Sequence, residues 1–263
     1  MALESIALIP SGYKANKLYC QLPVDGGADL TTSRASSATR VNKNGLIEDV
    51  VTGIPRLDYT NGSCPELLLE PLSTNLCDIS RVDAYGVSGA ITRNTLVSLT
   101  PTGAVESVRL IKGSSGQEYC NLKVASTTLS ATTDYTHSIF VKRDTADFTF
   151  RLEHNISSDY GLSWNVSYTI TDSGVTINSE SNATGAVVDY GNGWYRVSAT
   201  VTTGTPSTAI TSCLFRLDDT NGSGASILLQ YHQFEQQSYA TSYIPTSGTI
   251  ETRIADAVTG NSS

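Results

Sequence analysis

From Val105 to about residue 237 the chain alternates strand-length runs with short polar turns, and this pattern restricts its fold more than any other feature. Strands are predicted near 105–112, 117–125, 134–143, 147–154, 162–170, 174–180, 184–190, 193–203, 209–217 and 225–235. No stretch with a helical period separates them. Strands at this spacing are typical of an antiparallel sandwich or jelly roll. We therefore predict an all-β protein with a jelly-roll β-sandwich over residues 105–237.

The alternation within these runs predicts which side chains face the core, because successive residues of a strand point to opposite faces of the sheet. In residues 162–170 the large apolar side chains share one parity, which places Trp164 and Tyr168 in the core. In residues 193–203 the apolar parity contains Tyr195, so Trp194 and Arg196 fall on the polar face. The run 225–235 is apolar on both parities, as expected of a central strand.

The composition restricts the partners and the compartment of the protein. The net charge is -8, and 17 Lys and Arg residues are scattered without a cluster, so nucleic acid is not expected as a partner. No apolar run approaches the length of a membrane span and no signal peptide is recognisable, so no membrane contact and synthesis in the cytosol are expected. The odd number of cysteines, without C-x-x-C spacing, indicates reduced thiols: Cys20, Cys64, Cys77, Cys120 and Cys213.

No group of residues has the spacing of a catalytic or metal site. The carboxylates lie at strand ends and turns, where solvated or turn-capping roles are expected. The histidines His137, His154 and His232 are on different predicted strands without a hydrolase or metal motif, so core or surface positions are expected. We predict a non-enzymatic protein with no cofactor and no metal. A calcium ion in the loop beginning at Asp218 is the alternative, against an ordinary turn.

Residues 33–76 form the most distinctive stretch of the sequence. Two apolar runs, 34–41 and 46–51, flank a polar turn that ends in Gly45. Glycine readily supplies the positive φ that a tight hairpin needs, so the two runs are predicted to pair antiparallel. The residues before this stretch, 1–30, are predicted to form an extended arm with one or two short strands, lying on its own domain or inserting into a neighbouring subunit.

The motifs of this stretch resemble the N-terminal signature of bacteriophage virion proteins of the fibre and decoration types. The matching residues are R-A-S-S-A-T at 34–39, G-L-I-E at 45–48, P-R-L-D-Y at 55–59, L-L-L-E-P at 67–71 and T-N-L at 74–76. A second block, 240–256, is similar to the segment that closes the same proteins. The middle of the chain, with YTHSIFVKR and NGWYRVSA, is similar to jelly rolls of the lectin or carbohydrate-binding-module type.

The resemblance implies a structural role in a virion that is assembled in the host cytoplasm. The protein would be a head fibre, a capsid decoration or a tail-fibre component in contact with capsid or tail proteins. Such proteins are generally symmetric homo-oligomers, so a trimer is favoured and a dimer is the alternative. The competing function is that of an adhesin that binds host-surface glycans. A polysaccharide hydrolase is not expected, because the carboxylates lack the context of a catalytic pair.

Two sets of residues are candidates for specific roles. Trp194 and Arg196 share a strand face and are the candidate glycan contacts. For Trp194, a position that covers the sandwich edge or lies in a subunit contact is favoured over stacking on a sugar. Residues 252–256 are predicted to pack beside residues 33–37 and to share a sheet with them around a polar network. The residues assigned to this pairing of the chain ends are Arg34, Arg56, Glu70, Arg253 and Asp256.

These expectations divide the chain into four parts. Residues 1–30 form the arm, and residues 31–104 form an N-terminal β-region with a connection. Residues 105–237 form the jelly roll, and residues 238–263 return to pack on the N-terminal region.

Overall fold

The computed structural model describes residues 10–21, 26–113, 116 and 118–260. The parts of the predicted arm at 1–9 and 22–25, and the chain end at 261–263, lie outside the described residues. Regular structure in the described residues is almost entirely β. The exceptions are the one-turn helix α1 (Ser157–Tyr160) and a 3-10 turn at Val82–Ala84. Neither has the length to cross a bilayer, and no other helix occurs in the ranges that the structure describes.

The strands are short at both ends of the chain and longer in the middle. The first are β1 (Pro10–Lys14), β2 (Lys17–Cys20), β3 (Leu30–Ser33), β4 (Ala38–Val41), β5 (Ile47–Val50), β6 (Leu57–Asp58), β7 (Glu66–Leu67) and β8 (Ser73–Asn75). The middle strands are β9 (Val87–Ser88), β10 (Thr92–Asn94), β11 (Val108–Ile111), β12 (Glu118–Thr127), β13 (Asp134–Arg143), β14 (Phe148–His154), β15 (Trp164–Thr171), β16 (Gly174–Ser181), β17 (Thr184–Asp189), β18 (Trp194–Thr202), β19 (Ile210–Leu217) and β20 (Ser226–Glu235). The last are β21 (Glu251–Arg253) and β22 (Ala257–Gly260).

The middle strands form two antiparallel sheets. Sheet I has the strand order β10-β11-β20-β13-β18-β17, and sheet II has the order β16-β15-β14-β19-β12-β9. Strands β11 to β20 correspond to the predicted runs, with boundaries that agree to within a few residues. The prediction of an all-β jelly-roll sandwich is confirmed. The run that is apolar on both parities is β20, and it is central as predicted, between β11 and β13.

The inner faces of the two sheets enclose the main hydrophobic core. Trp164 and Tyr168 are buried there, as their parity predicts. The ring of Phe150 stacks on Tyr168 and on Phe215, with centroids 5.3 and 4.9 Å apart. Aromatic pairs at this spacing contribute to stability beyond the area that they bury. The core therefore joins β14, β15 and β19 of sheet II through side chains of one parity.

The outer face of sheet I is covered by the N-terminal region and by residues that follow β20. A second hydrophobic cluster lies at this contact and contains Val41, Ile47, Phe140, Trp194, Leu228, Tyr231 and Tyr243. Val41 and Ile47 are partners in the hairpin β4–β5, whose turn contains Gly45 at φ 73°. The predicted hairpin is confirmed. Both faces of the central strands β13, β18 and β20 are thus buried, whereas the edge strands β10 and β17 are largely exposed. Strand alternation had suggested one apolar and one polar face.

We use the term base for strands β1 to β8 together with β21 and β22. Within the base, β1, β2, β3 and β22 form one sheet, and β21 pairs with β8. The pairing differs in register from the predicted one. Thr252 and Arg253 pair with Thr74 and Ser73 of β8. The residues after them do lie beside 33–37, since the Ile254 amide donates to the Ser36 hydroxyl at 2.9 Å and Arg34 donates to Asp256. The strand that joins the N-terminal sheet begins four residues later, with Ala257 opposite Ser33.

Candidate functional site

Charged side chains from four separate parts of the base meet in one buried group, which we call the base cluster. Its members are Arg34, Arg56, Glu70, Arg253 and Asp256, the residues assigned from the sequence to the pairing of the chain ends. Their side-chain exposures lie between 0% and 7%. The structure therefore brings together residues that are up to 222 positions apart in the sequence.

Arg34 joins β3 to the loop after β5 and to the C-terminal segment. Its Nη1 donates to Asp256 Oδ1 at 3.0 Å. Its remaining donors reach backbone carbonyl oxygens, namely those of Ser36, Val50, Val51 and Ile54. A guanidinium carries five N–H groups in a fixed fork, and here every nitrogen has an acceptor. Arg34 therefore fixes the position of a turn as well as an ion pair.

Arg56 lies at the centre of the cluster and is fully buried. Its Nη1 donates to Glu70 Oε2 at 2.7 Å and to the Ser242 hydroxyl at 2.8 Å. Its Nη2 donates to Asp256, and Nη1 also reaches the Thr39 carbonyl oxygen at 3.1 Å. Because both neighbouring carboxylates come from other segments, Arg56 connects the loop after β5, the residues before β8 and the chain end.

Glu70 is also held by Arg253, whose Nη1 lies 2.9 Å from Glu70 Oε2. The Ser242 amide and hydroxyl donate to Glu70, each at 2.7 Å. Burial acts to raise the pKa of Glu70, but Arg253 and Arg56 outweigh burial, and the pKa is lowered. Burial lowers the pKa of Arg253, and Glu70 partly opposes this effect. Glu70 is therefore ionised and paired at neutral pH.

The chemistry of the base cluster is that of a structural ion network. It contains three guanidinium groups and two carboxylates, and each carboxylate is bonded to at least two of the cations. Asn75, in the T-N-L motif, has a related role, since its amide donates to Ile244 and accepts from Cys77 and Phe234. These residues of the 33–76 stretch thus supply buried hydrogen bonds rather than an exposed reactive group.

Trp194 and Arg196 do not lie where a glycan contact requires them. Trp194 is 2% exposed and its indole N–H donates to the Leu99 carbonyl oxygen at 3.0 Å. Arg196 is 3% exposed, donates to Ser138 Oγ at 2.9 Å, and lies over the ring of Phe140. Their predicted sheet face is correct, but the base covers that face. Neither side chain can stack on a sugar in this arrangement, so their assignment as glycan contacts is corrected.

A cavity of about 720 Å³ opens between the hairpin β4–β5 and residues 243–247. Tyr231 and Tyr243 line it, and their ring centroids are 4.8 Å apart. Its charged lining residues are Glu48, Asp49, Arg81, Glu106, Glu251 and Arg253. Tyr231 and Tyr243 are only 3% and 5% exposed, so their rings offer little surface for stacking. Carboxylates accept hydrogen bonds from hydroxyl groups, so the cavity offers acceptors to a hydroxyl-rich molecule.

Tyr231 has φ 57° in the middle of β20, which is exceptional for a bulky residue. An extra residue in β20 accompanies it, since the pairing with β13 shifts register between Ser138 and Phe140. The Tyr231 hydroxyl donates to Glu106 and lies 2.8 Å from the hydroxyls of Thr100 and Thr102. Burial and the Glu106 carboxylate raise the pKa of Tyr231 to about 12.

The irregularity at Tyr231 has a clear effect on the side chains around it. Tyr231 joins the cluster on the outer face of sheet I and lines the cavity, while its neighbour His232 turns into the main core. Strand alternation assumes no extra residue, so the sequence does not reveal this bulge. Strained backbone is concentrated at functional sites, which makes Tyr231 a candidate functional residue.

The three histidines are all buried, and two of them are in contact. His137 Nδ1 lies 3.1 Å from His232 Nε2, although 95 residues separate them in the sequence. His154 is paired with Asp159, with His154 Nε2 3.0 Å from Asp159 Oδ2. Core positions for histidines were expected, but a contact between two of them was not predicted.

The loop proposed as a calcium alternative is closed by cations of the protein. Asp218 Oδ2 lies 2.8 Å from Arg151 Nη2, and Asp218 Oδ1 accepts from the amide and hydroxyl of Thr220. Asp219 lies 3.7 Å from both Lys112 and Arg216. These bonds describe a turn whose carboxylates already have donors.

No protein-family model matches the chain, and no curated protein is similar to it in sequence. Among solved structures, the CBM22-1 xylan-binding domain of a Paenibacillus barcinonensis protein is similar with a TM-score of 0.40 and 11% identity, over 64% of this chain and 94% of that domain. A structure of the CBM22-1 and GH10 modules of a Clostridium thermocellum endo-1,4-beta-D-xylanase, solved with xylohexaose, is similar with a TM-score of 0.38 and 19% sequence identity. The match covers 66% of this chain and 30% of that chain. An arabinose-bound alpha-L-arabinofuranosidase is similar with a TM-score of 0.42 and 12% sequence identity, over 63% of this chain and 26% of that enzyme. The last two matches thus span less than a third of the neighbour's length.

Proposed function

We propose that the protein is a non-enzymatic structural component of a bacteriophage virion, either a head fibre or decoration or a tail-fibre component. The observation that carries this proposal is the base cluster. Residues of the motifs that resemble virion proteins, such as Arg34, Arg56, Glu70 and Arg253, are the residues that close the base. The base then contacts capsid or tail proteins, and the sandwich projects outward as part of a homo-oligomer, with a trimer favoured over a dimer.

A structural role agrees with how the base is built. An ion network with almost no solvent access holds the segments of the base in place rather than binding a ligand. The strands β21 and β22 are both held in the base, because β22 pairs with β3 and β21 pairs with β8. Segments that are far apart in the sequence are therefore fixed to one another on this side of the domain. This arrangement suits attachment to a larger assembly.

The test is to measure whether the protein is in the particle. Particles are purified on a density gradient from a culture that produces the protein, and their peptides are quantified by mass spectrometry. The expected result is peptides of this chain at a copy number comparable to known shell or tail proteins, together with a trimeric mass for the isolated protein. Complete absence from intact particles would contradict the proposal.

Glycan binding is the second candidate function, and the cavity beside the base is the observation that favours it. Its walls carry carboxylates that accept hydrogen bonds, and its volume lies within the range of small-molecule sites. Because Trp194 is buried, its substitution would test the fold rather than sugar contact. Asp49 and Glu251 are exposed at the cavity and are better probes.

The glycan test uses an array of bacterial surface and plant-type polysaccharides. Saturable binding is expected, with a loss of about tenfold or more in the doubly substituted Asp49→Asn, Glu251→Gln protein, since unpaired sugar hydroxyls are costly. Asp172→Asn, at an exposed carboxyl of the sandwich, is the matched control and should bind as the wild type does. Binding that is unchanged in the double variant would rule out the cavity, and no binding would rule out this function.

A further inference from the structure

Two histidines and a cysteine bring potential metal-ligand atoms together in the core between the sheets. His137 is on β13, His232 is on β20, and Cys213 is on β19 of the opposite sheet. One atom from each, His137 Nδ1, His232 Nε2 and Cys213 Sγ, lies within 4.8 Å of the others. His137 Nδ1 is 3.1 Å from His232 Nε2 and 3.3 Å from Cys213 Sγ. All three residues are fully buried.

His137 Nδ1 has more neighbours than it can bond in the ring plane. An imidazole nitrogen offers either one lone pair or one hydrogen in the ring plane, so it makes one strong hydrogen bond. His137 Nδ1 nevertheless has two neighbours, the other ring and the thiol. Whichever tautomer is chosen, one of the two contacts is left without a directed hydrogen bond. A cation that all three lone pairs share removes this conflict.

The outer nitrogens of both rings are anchored, as is usual for histidines that bind a metal. His137 Nε2 is hydrogen-bonded to the Tyr160 hydroxyl, and His232 Nδ1 lies 3.2 Å from Cys77 Sγ. These contacts fix the ring orientations and direct His137 Nδ1 and His232 Nε2 toward each other. The two rings are parallel within 2°, and their centroids are 5.3 Å apart.

We propose that His137, His232 and Cys213 bind one zinc or copper(I) ion. Zinc and copper(I) bind well to imidazole and thiolate groups, whereas magnesium and calcium prefer oxygen ligands. With Zn–N near 2.0–2.1 Å and Zn–S near 2.3 Å, ligand atoms around tetrahedral zinc are about 3.3–3.6 Å apart. The observed separations of 3.1 and 3.3 Å from His137 Nδ1 require only a small expansion, and the ligand atoms of His232 and Cys213 lie within 4.8 Å of each other. Binding replaces the thiol proton of Cys213, which is released to solvent as the metal–sulfur bond forms.

The site is independent of the virion and glycan functions and acts on the sandwich itself. His137 and His232 belong to sheet I and Cys213 belongs to sheet II, so the ion joins the two layers. Since none of the three ligands is exposed, the ion enters as the chain folds rather than by diffusion into the folded protein. Metal should then be retained during dialysis against a chelator and released only on unfolding.

The first experiment measures metal in the tag-free, full-length protein. Inductively coupled plasma mass spectrometry should find about one zinc or copper per chain, as expected for a single closed site. The element found distinguishes the two ions. The wild-type protein is then unfolded with chelator and refolded with cobalt(II), which should give a near-ultraviolet sulfur-to-cobalt charge-transfer band. Folded protein without metal as isolated, and without this band after refolding, would overturn the proposal.

Variants assign the ligands. Cys213→Ala and His232→Asn should reduce bound metal to below about a tenth of the wild-type content. Cys120→Ala is the matched control, because Cys120 is equally buried in the same core but is not one of the converging residues, and it should keep its metal. If Cys213→Ala does not fold, the cobalt spectrum of the refolded wild type still shows whether a cysteine sulfur binds the metal. Equal metal content in Cys213→Ala and Cys120→Ala would also overturn the assignment.

Discussion

Arg56 is the residue with the most connections in the base cluster. It is fully buried and bonded to Glu70, Asp256, Ser242 and the backbone of Thr39. Removing one partner from a buried ion network leaves the remaining charges without compensation, which costs more than the pair contributes. We therefore expect the Arg56 side chain to contribute more than any other to the stability of the base.

Arg56→Met should lower the free energy of unfolding by about 3–5 kcal/mol, since it leaves two buried carboxylates underpaired. The matched control is Arg40→Met. Arg40 pairs with Glu48 at 2.8 Å in the same region, but that pair is partly exposed. Its loss should cost about 0–1 kcal/mol. Urea unfolding curves of the two variants test the difference, and equal effects would show that the base cluster is not the main support of this region.

Glu70 gives the base an acid-sensitive component. Although burial opposes ionisation, the neighbouring Arg253 and Arg56 keep the pKa of Glu70 below its ordinary value in the folded protein. The unfolded chain therefore binds a proton more readily as the pH falls, and stability is lost from about pH 4.5 downward. Above that pH the full contribution is present.

Glu70→Gln should destabilise the protein at pH 7, and its deficit relative to wild type should shrink as the pH approaches about 3. Urea unfolding between these two pH values is the measurement. Glu66→Gln, at an exposed carboxyl of β7, serves as control and should follow the wild type throughout. A deficit for Glu70→Gln that stays constant with pH would be inconsistent with an ionised, paired Glu70.

At the scale of elements, the strands of the sandwich could be predicted because residues such as Trp164 and Tyr168 follow a strict alternation. The same alternation placed Trp194 on the outer face of sheet I correctly. It could not show that the base covers this face. The alternation of a strand indicates to which sheet face a side chain points, but not which part of the protein packs on that face. The bulge at Tyr231 was invisible for a related reason, since one extra residue changes the parity without changing the composition.

The base cluster is a different case. Its members were predicted from charged residues interleaved with apolar ones near the two ends of the chain, and the structure brings Arg34 and Asp256 within 3.0 Å of each other. The exact register was not predictable. Residues 252–256 and 257–260 both have strand-like composition, and backbone pairing with β8 and β3 decides between them. The contact of His137 and His232 depends on the pairing of β13 with β20 and on the extra residue in β20, which local patterns do not encode.

The turn after α1 gives a test of element packing. Gly161 and Gly191 have nearly the same φ, 75° and 74°, so alanine suffers similar backbone strain at both. A Cβ at Gly161 would lie 2.1 Å from the Thr205 amide nitrogen, whereas nothing lies within 4 Å of one at Gly191. Gly161→Ala should therefore destabilise by at least about 3 kcal/mol and Gly191→Ala by about 1 kcal/mol, measured by urea unfolding. Similar losses in both would mean that the 204–205 loop moves aside freely.

At the scale of the whole molecule, the two sheets have different surroundings. The central strands of sheet I are enclosed by the core on one face and by the base on the other. Sheet II keeps side chains such as Tyr119, Arg151 and Lys123 partly or fully exposed on its outer face. The molecule therefore has a base side, where the chain ends are held, and an open side formed by sheet II. The proposed attachment through the base predicts that the open side faces outward.

Cryo-electron microscopy of the assembled particle tests this proposal most directly, because it gives both the presence of the protein and its orientation. We expect symmetric density, with threefold symmetry favoured, in which strands β3, β8, β21 and β22 lie toward the capsid or tail and sheet II points away. A particle that lacks this density, or one in which sheet II contacts the shell and the base points outward, would contradict the proposed function.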